Sequence, residues 1–169
     1  MNLAQLFTQE NVMPALASTE HMEVIEEMVR HLQQGGLLSG ITTEEAIAVL
    51  LEREERTSTG IGSGVAIPHA FSENLNEVVA VFARSEAGVD FDAIDNSPVE
   101  FIVLFLVPKD QYHMHLKTLA ALAKFFNDSE TRDALREAKD KEEILQVFAK
   151  LADQEQRELA VEGDEPSGK

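Results

Sequence analysis

The sequence predicts a three-layer α/β/α sandwich with a mixed sheet of about five strands and helices on both faces. Two observations carry this. Residues 99–107 are the most apolar run in the chain, with Phe101 to Val107 unbroken by a polar side chain. The run is far shorter than the ~20 residues a membrane span needs, so it fits a central strand buried on both faces. On either side of it, apolar residues recur at helical spacing. Before it stand Met22, Ile25, Met28, Val29 and Leu32; after it stand Leu116, Leu119, Leu122, Ala123 and Phe126.

Taken in order, residues 3–7 predict a short helix, and residues 12–16 an extended piece interrupted by Pro14. Ser18, Thr19 and Glu20 offer an N-cap to the first amphipathic helix, which ends at Gly35-Gly36. His21 and His31 lie on this helix and read as surface or boundary residues. Thr42 with Glu45 three positions on has the form of a capping box, opening a helix that uses Ile47, Leu50 and Leu51 and runs to about Glu55. Residues 57–64 read as a loop of hydroxyls and glycines, and Val65, Ala66 and Ile67 as a short buried strand that Pro68 ends. Residues 78–83 predict a strand, and residues 90–92 a short extended piece. After the central strand, a helix over 112–126 turns Leu116, Leu119, Leu122, Ala123 and Phe126 to the core. Asp128-Ser129 starts another helix, and Asp140 with Glu143 forms a second capping box before Ile144, Leu145, Phe148 and Leu151. These elements make one domain over residues 1–152. Residues 153–169 are acidic, with few large apolar residues, and predict a mobile tail.

Lys plus Arg number 14 and Asp plus Glu 31 among 169 residues, a formal net charge of −17. Such a field repels a phosphate backbone, which excludes nucleic acid as a main partner and suits a basic protein instead. The absence of cysteine excludes disulfides and thiolate metal sites. No stretch predicts membrane insertion, and the first residues lack a basic, then apolar, leader pattern, so the expected location is the cytoplasm. His113 and His115 sit two positions apart on a helix, about 200° around its axis, and cannot chelate a metal together as they would from a strand. Neither metal nor cofactor is expected.

The chemistry concentrates between Arg53 and Ala70. Gly60, Gly62 and Gly64 alternate, but no Lys-Ser/Thr pair follows, so this is no nucleotide-binding P-loop, and Val65 occupies the place of a third dinucleotide-loop glycine. The glycines allow backbone amides to approach a phosphoryl group. His69 follows Pro68 at the tip of the predicted strand, where a stiff support holds the imidazole. Arg53 stands at the end of a helix, where its charge complements the dipole, and His115 at the start of another. Strand ends meeting helix starts are where open α/β sheets build sites.

The spacing of Glu54, Ile61, Gly62, Val65, Ala66, Ile67, Pro68, His69 and Ala70 resembles the phosphorylation-site signature of the type 2 (fructose and mannitol class) enzyme IIA domains of the bacterial phosphoenolpyruvate-dependent phosphotransferase system. The resemblance spans about residues 3–151. It implies that His69 accepts a phosphoryl group through Nε2. It also implies that Arg53 lies near that group and that His115, in a His-aliphatic-x-x-Leu segment, assists. Imidazole chemistry agrees: a neutral ring nitrogen is nucleophilic near pH 7, and a guanidinium offers fixed donors to phosphoryl oxygens. Thr57, Ser58 and Thr59 are weaker candidates for binding the same oxygens. The implied donor is the histidine phosphocarrier protein HPr or its nitrogen-branch paralogue, and the implied recipient a IIB domain or a regulated target protein. The stand-alone length favours a nitrogen-regulatory IIA over a sugar-specific one. A binding module that lost the relay and a metal-dependent or triad hydrolase are the competing readings, the first disfavoured by the joint presence of Arg53, His69 and His115.

Overall fold

A computed structural model describes residues 3–163. The chain opens with two short 3₁₀ turns, Leu3–Leu6 and Gln9–Asn11, and then strand β1 (Val12–Met13). Helices α1 (His21–Gln34) and α2 (Thr43–Arg56) follow. Next come β2 (Gly60–Gly62), β3 (Val65–Ala66), β4 (His69–Ser72), β5 (Val79–Val89) and β6 (Val99–Pro108). Helices α3 (Tyr112–Asn127), α4 (Ser129–Glu137) and α5 (Lys141–Gly163) complete the described chain.

The sheet is mixed and has six strands, in the order β1-β5-β6-β3-β2, with β4 also beside β6. The β5–β6 and β2–β3 pairs are antiparallel, and β1–β5, β3–β6 and β4–β6 are parallel. The sixth strand comes from the 57–64 segment, expected to be a loop throughout. Gly60–Gly62 pairs with β3 as a hairpin, closed by Ser63 and Gly64 at φ 56° and 79°. Two successive residues with positive φ are what a tight two-residue hairpin turn demands.

Strand β6 is central, as its continuous apolar run requires. Alternate side chains enter different layers. Phe101, Val103, Phe105 and Val107 meet Leu122, Phe125 and Phe126 of α3, Leu135 of α4 and Phe148 of α5. Ile102, Leu104 and Leu106 meet Val24, Ile25, Met28, Val29 and Leu32 of α1 and Leu50 of α2. Helices thus cover both faces, each fully buried Leu or Phe contributing about 1.5–3 kcal/mol.

Several expectations shift in detail. The buried stripe of α3 is His115, Thr118, Leu122, Phe125 and Phe126, while Leu116 and Ala123 are exposed. Apolar residues surround much of this helix, so periodicity alone selects the wrong stripe by about one residue. Residues 90–92 form no strand; Phe91 is instead buried as a wall beside α1. The Thr42 hydroxyl accepts the Glu45 N–H at 3.1 Å, but the Glu45 carboxylate takes the Asn74 side-chain amide at 2.6 Å rather than closing the box. Residues 153–163, expected to be tail, continue α5 as helix; residues 164–169 lie outside those described.

Candidate functional site

Pro68 interrupts the pairing, as expected, but a further strand resumes directly after it. Val65 and Ala66 pair with Phe101 and Ile102, and after a break at residues 67–68 His69 to Ser72 pair with Phe105 to Pro108 in the same register. Pro68, with no N–H to give, still accepts the Phe105 N–H at 2.9 Å through its carbonyl. His69 is therefore carried within an interrupted strand, not at a strand tip, and stands on the α3 side of the sheet.

The break releases the Ile67 carbonyl to the His69 ring, whose Nδ1 lies 2.8 Å away. A carbonyl can only accept, so Nδ1 carries the proton and Nε2 holds the lone pair. The half-buried ring is desolvated, which pushes its pKa below the ordinary histidine value. The Ile67 carbonyl and Glu54 oppose that shift, and the positive charge of Arg53 adds to it. His69 is thus a neutral imidazole at pH 7 with an available Nε2.

His115 lies 5.2 Å from His69, ring centre to ring centre. It is only 2% exposed, packed edge-on against Phe71 and Phe105. Burial, with His69 beside it, lowers its pKa to about 4. Its Nε2 is buried and has no hydrogen-bond partner within the protein. An unpaired polar atom in such a position costs about 1–3 kcal/mol and calls for a ligand. Arg53, half-buried in the last turn of α2, donates to the Thr57 carbonyl at 2.9 Å while its charge reaches His69. The structure thus gathers all three of Arg53, His69 and His115.

Residues 5–151 match the family described as "Phosphoenolpyruvate-dependent sugar phosphotransferase system, EIIA 2". The chain belongs to the type 2 enzyme IIA family of the phosphotransferase system. A nitrogen regulatory protein of Bradyrhizobium diazoefficiens is 32% identical over 149 residues, covering 88% of this chain and 95% of the relative. A fructose-specific EIIA component of Haloferax volcanii is 36% identical over 110 residues, covering 65% of this chain and 71% of the relative. The crystal structure of nitrogen regulatory protein IIA-Ntr from Neisseria meningitidis superposes with a TM-score of 0.80 at 27% identity, covering 86% of this chain and 98% of that one.

In this IIA domain the three hydroxyl residues after α2 already have partners. The Thr57 hydroxyl donates to the Arg56 carbonyl at 2.8 Å, and the Ser58 hydroxyl to the carbonyl of Phe91. The Thr59 hydroxyl donates to Glu54 Oε2 at 2.7 Å. An added Cβ at Gly60 would stand 2.8 Å from the Ala93 Cβ, so this glycine serves close packing.

Sequence reasoning placed Glu54 in the signature but gave it no partner, and it read His21 as a surface or boundary residue, also without a partner. His21 is half-buried, its Nε2 2.7 Å from Glu54 Oε1 and its ring 4.0 Å from that of Phe91. Glu54 is 3% exposed; burial alone would raise its pKa, but hydrogen bonds from His21 and Thr59 hold it below the ordinary carboxylate range. The signal available in sequence was the acidic residue itself, which in the last turn of a helix opposes the dipole and so needs donors to hold it. Phe71 escaped notice too, though it contacts both His115 and Tyr112 at 5.4 Å.

Proposed function

We propose that this IIA protein accepts a phosphoryl group on His69 Nε2 from a histidine-phosphorylated carrier protein and acts as a regulatory IIA of the nitrogen type. One observation carries the chemistry: Nδ1 of His69 is tied to its own backbone, which leaves Nε2 as the nucleophile beside the unpaired Nε2 of buried His115.

The transfer needs little beyond alignment and charge. The Nε2 lone pair of His69 attacks phosphorus in line, the N–P bond of the donor breaks, and the donor imidazole keeps the electron pair. Arg53 faces the negative charge spread over the phosphoryl oxygens and, being a guanidinium, keeps its charge throughout. The unpaired His115 Nε2 receives a phosphoryl oxygen as its missing partner, donating an N–H; the incoming dianion favours the protonated ring that burial disfavours in the resting state.

The regulatory assignment is supported by the near full-length correspondence with the nitrogen regulatory relative. The fructose-specific relative supports a second reading, transfer onward to a IIB domain for sugar transport. Intact mass after incubation with phosphoenolpyruvate, enzyme I and the phosphocarrier protein tests the chemistry: an acid-labile gain of one phosphoryl group, absent in His69→Ala, is expected. No gain with an active carrier from the same source leaves a binding module on the IIA fold. Onward transfer to a cysteine of a IIB domain would move the protein from regulation to transport.

A further inference from the structure

His21 and Glu54 take no part in the transfer just described, yet hydrogen bonds, joined through the backbone of Thr59 and Ile67, connect them to the His69 ring. His21, the first residue of α1, brings Nε2 to 2.7 Å from Glu54 Oε1. A carboxylate only accepts, so the His21 Nε2–H is the donor. The same Oε1 accepts the Thr59 N–H at 3.0 Å, and Oε2 accepts the Thr59 hydroxyl at 2.7 Å. The Thr59 carbonyl accepts the Ile67 N–H at 3.0 Å. The Ile67 carbonyl then accepts the His69 Nδ1–H at 2.8 Å. Four segments meet along this path, the start of α1, the end of α2, the residues entering β2 and the break between β3 and β4, and of these the start of α1 is the one distant in sequence.

Packing alone does not account for the path. A carboxylate buried to 3% exposure is costly unless its lone pairs are filled, and an apolar residue would cover the same wall without that cost. Glu54 also adjoins Arg53 in the chain, and the two charges act on His69 in opposite senses. Moving Glu54 would thus disturb both the ring's support and the guanidinium beside it. His21 is the donor to Glu54 that comes from outside the α2–β2 segment.

We propose that His21 is a positioning residue for phosphoryl transfer: through Glu54, Thr59 and the Ile67 carbonyl it fixes His69 in the Nδ1–H tautomer with Nε2 free to attack. The inference rests on His69 being the acceptor, but tautomer can be read without any transfer. Two variants separate the donor from the ring. His21→Phe keeps an aromatic ring on Phe91 and removes the N–H; His21→Gln keeps an N–H and loses the ring.

Nitrogen-15 spectra of His69 at about pH 8, where the ring is neutral, report the tautomer. Single-turnover transfer from the phosphorylated carrier reports the rate. The wild-type protein should show one tautomer, Nδ1–H. His21→Phe should show a mixture and transfer about tenfold or more slowly, and His21→Gln should recover most of both. Glu54→Leu, which removes every link between His21 and Thr59 and fills the same wall with an apolar group, should shift the tautomer in the same direction as His21→Phe, and decides the matter if the latter does not fold. A wild-type tautomer in His21→Phe or, failing that variant, in Glu54→Leu overturns the proposal. So does equal impairment of His21→Phe and His21→Gln. A wild-type protein that accepts no phosphoryl group refutes the acceptor reading instead, and the tautomer still decides whether His21 orients the ring.

Discussion

Replacing His115 by leucine should stabilise this protein while disabling it. The His115 side chain is 2% exposed, its Nε2 has no partner, and its pKa falls from 6.5 to about 4 on folding. Leucine removes the unpaired nitrogen and keeps an apolar contact with Phe71 and Phe105, so at about pH 8 the variant should equal the wild type or exceed it by up to roughly 1–3 kcal/mol. The gap should widen in acid. The unfolded chain protonates this histidine near 6.5 and the folded chain only near 4, so between those values the unfolded state binds more protons and wild-type stability falls as pH falls. Linkage with these two values gives a loss of about 2 kcal/mol by about pH 5, and at most about 3 kcal/mol below about pH 4. His115→Leu lacks that titration and keeps every other group, so subtracting the two curves isolates it. Urea unfolding of both proteins from about pH 8 to about pH 5 measures the difference. Parallel curves would mean that His115 is not buried as a neutral imidazole, and the account of its unpaired nitrogen would fail with it.

Arg53→Gln should raise the pKa of His69, because the positive charge now holding it down is gone, and should slow phosphoryl transfer roughly 10²-fold or more for loss of a charged donor; NMR titration of His69 and single-turnover kinetics check the two effects separately. Gly60→Ala should cost about 1–3 kcal/mol, since the added methyl would stand 2.8 Å from the Ala93 Cβ and 3.0 Å from its Cα, and the urea midpoint reads that directly.

How much of this was legible in the sequence depended on whether a residue's neighbours are local. The central strand was plain because burial on both faces leaves no polar position in Phe101 to Val107. His69 was legible through a signature whose spacing is fixed by one continuous segment, and Arg53 through the family resemblance that the signature carries. His115, expected beside His69, does lie next to it, but the buried face of its helix differs from the expected one, since Leu116 looks as apolar as any core residue and is 46% exposed. The fate of residues 57–64 depended on a hairpin whose partner strand is two residues long, too short to give an alternating pattern. His21 was invisible because its partner, Glu54, lies 33 positions away on another helix. A histidine opening an amphipathic helix looks the same in sequence whether it meets water or a buried carboxylate.

The site is built where the fold gives up hydrogen bonds. In an unbroken strand the Ile67 carbonyl would belong to the sheet ladder, out of reach of a ring two residues on. Pro68 breaks the ladder at that point and the register resumes at His69, while the Ile67 carbonyl takes the ring N–H and so sets the imidazole tautomer. On the facing helix, His115 occupies a place an apolar residue would fill at lower cost, and its ring, which carries the unpaired nitrogen, lies beside that of His69. The Ile67 carbonyl keeps a hydrogen bond by taking the ring N–H, whereas the unpaired His115 nitrogen weakens the resting protein by about 1–3 kcal/mol. A phosphoryl group on His69 would supply the partner His115 lacks, so that cost would be relieved in the phosphorylated protein. Substitutions that remove the unpaired nitrogen should therefore favour the fold and oppose the transfer.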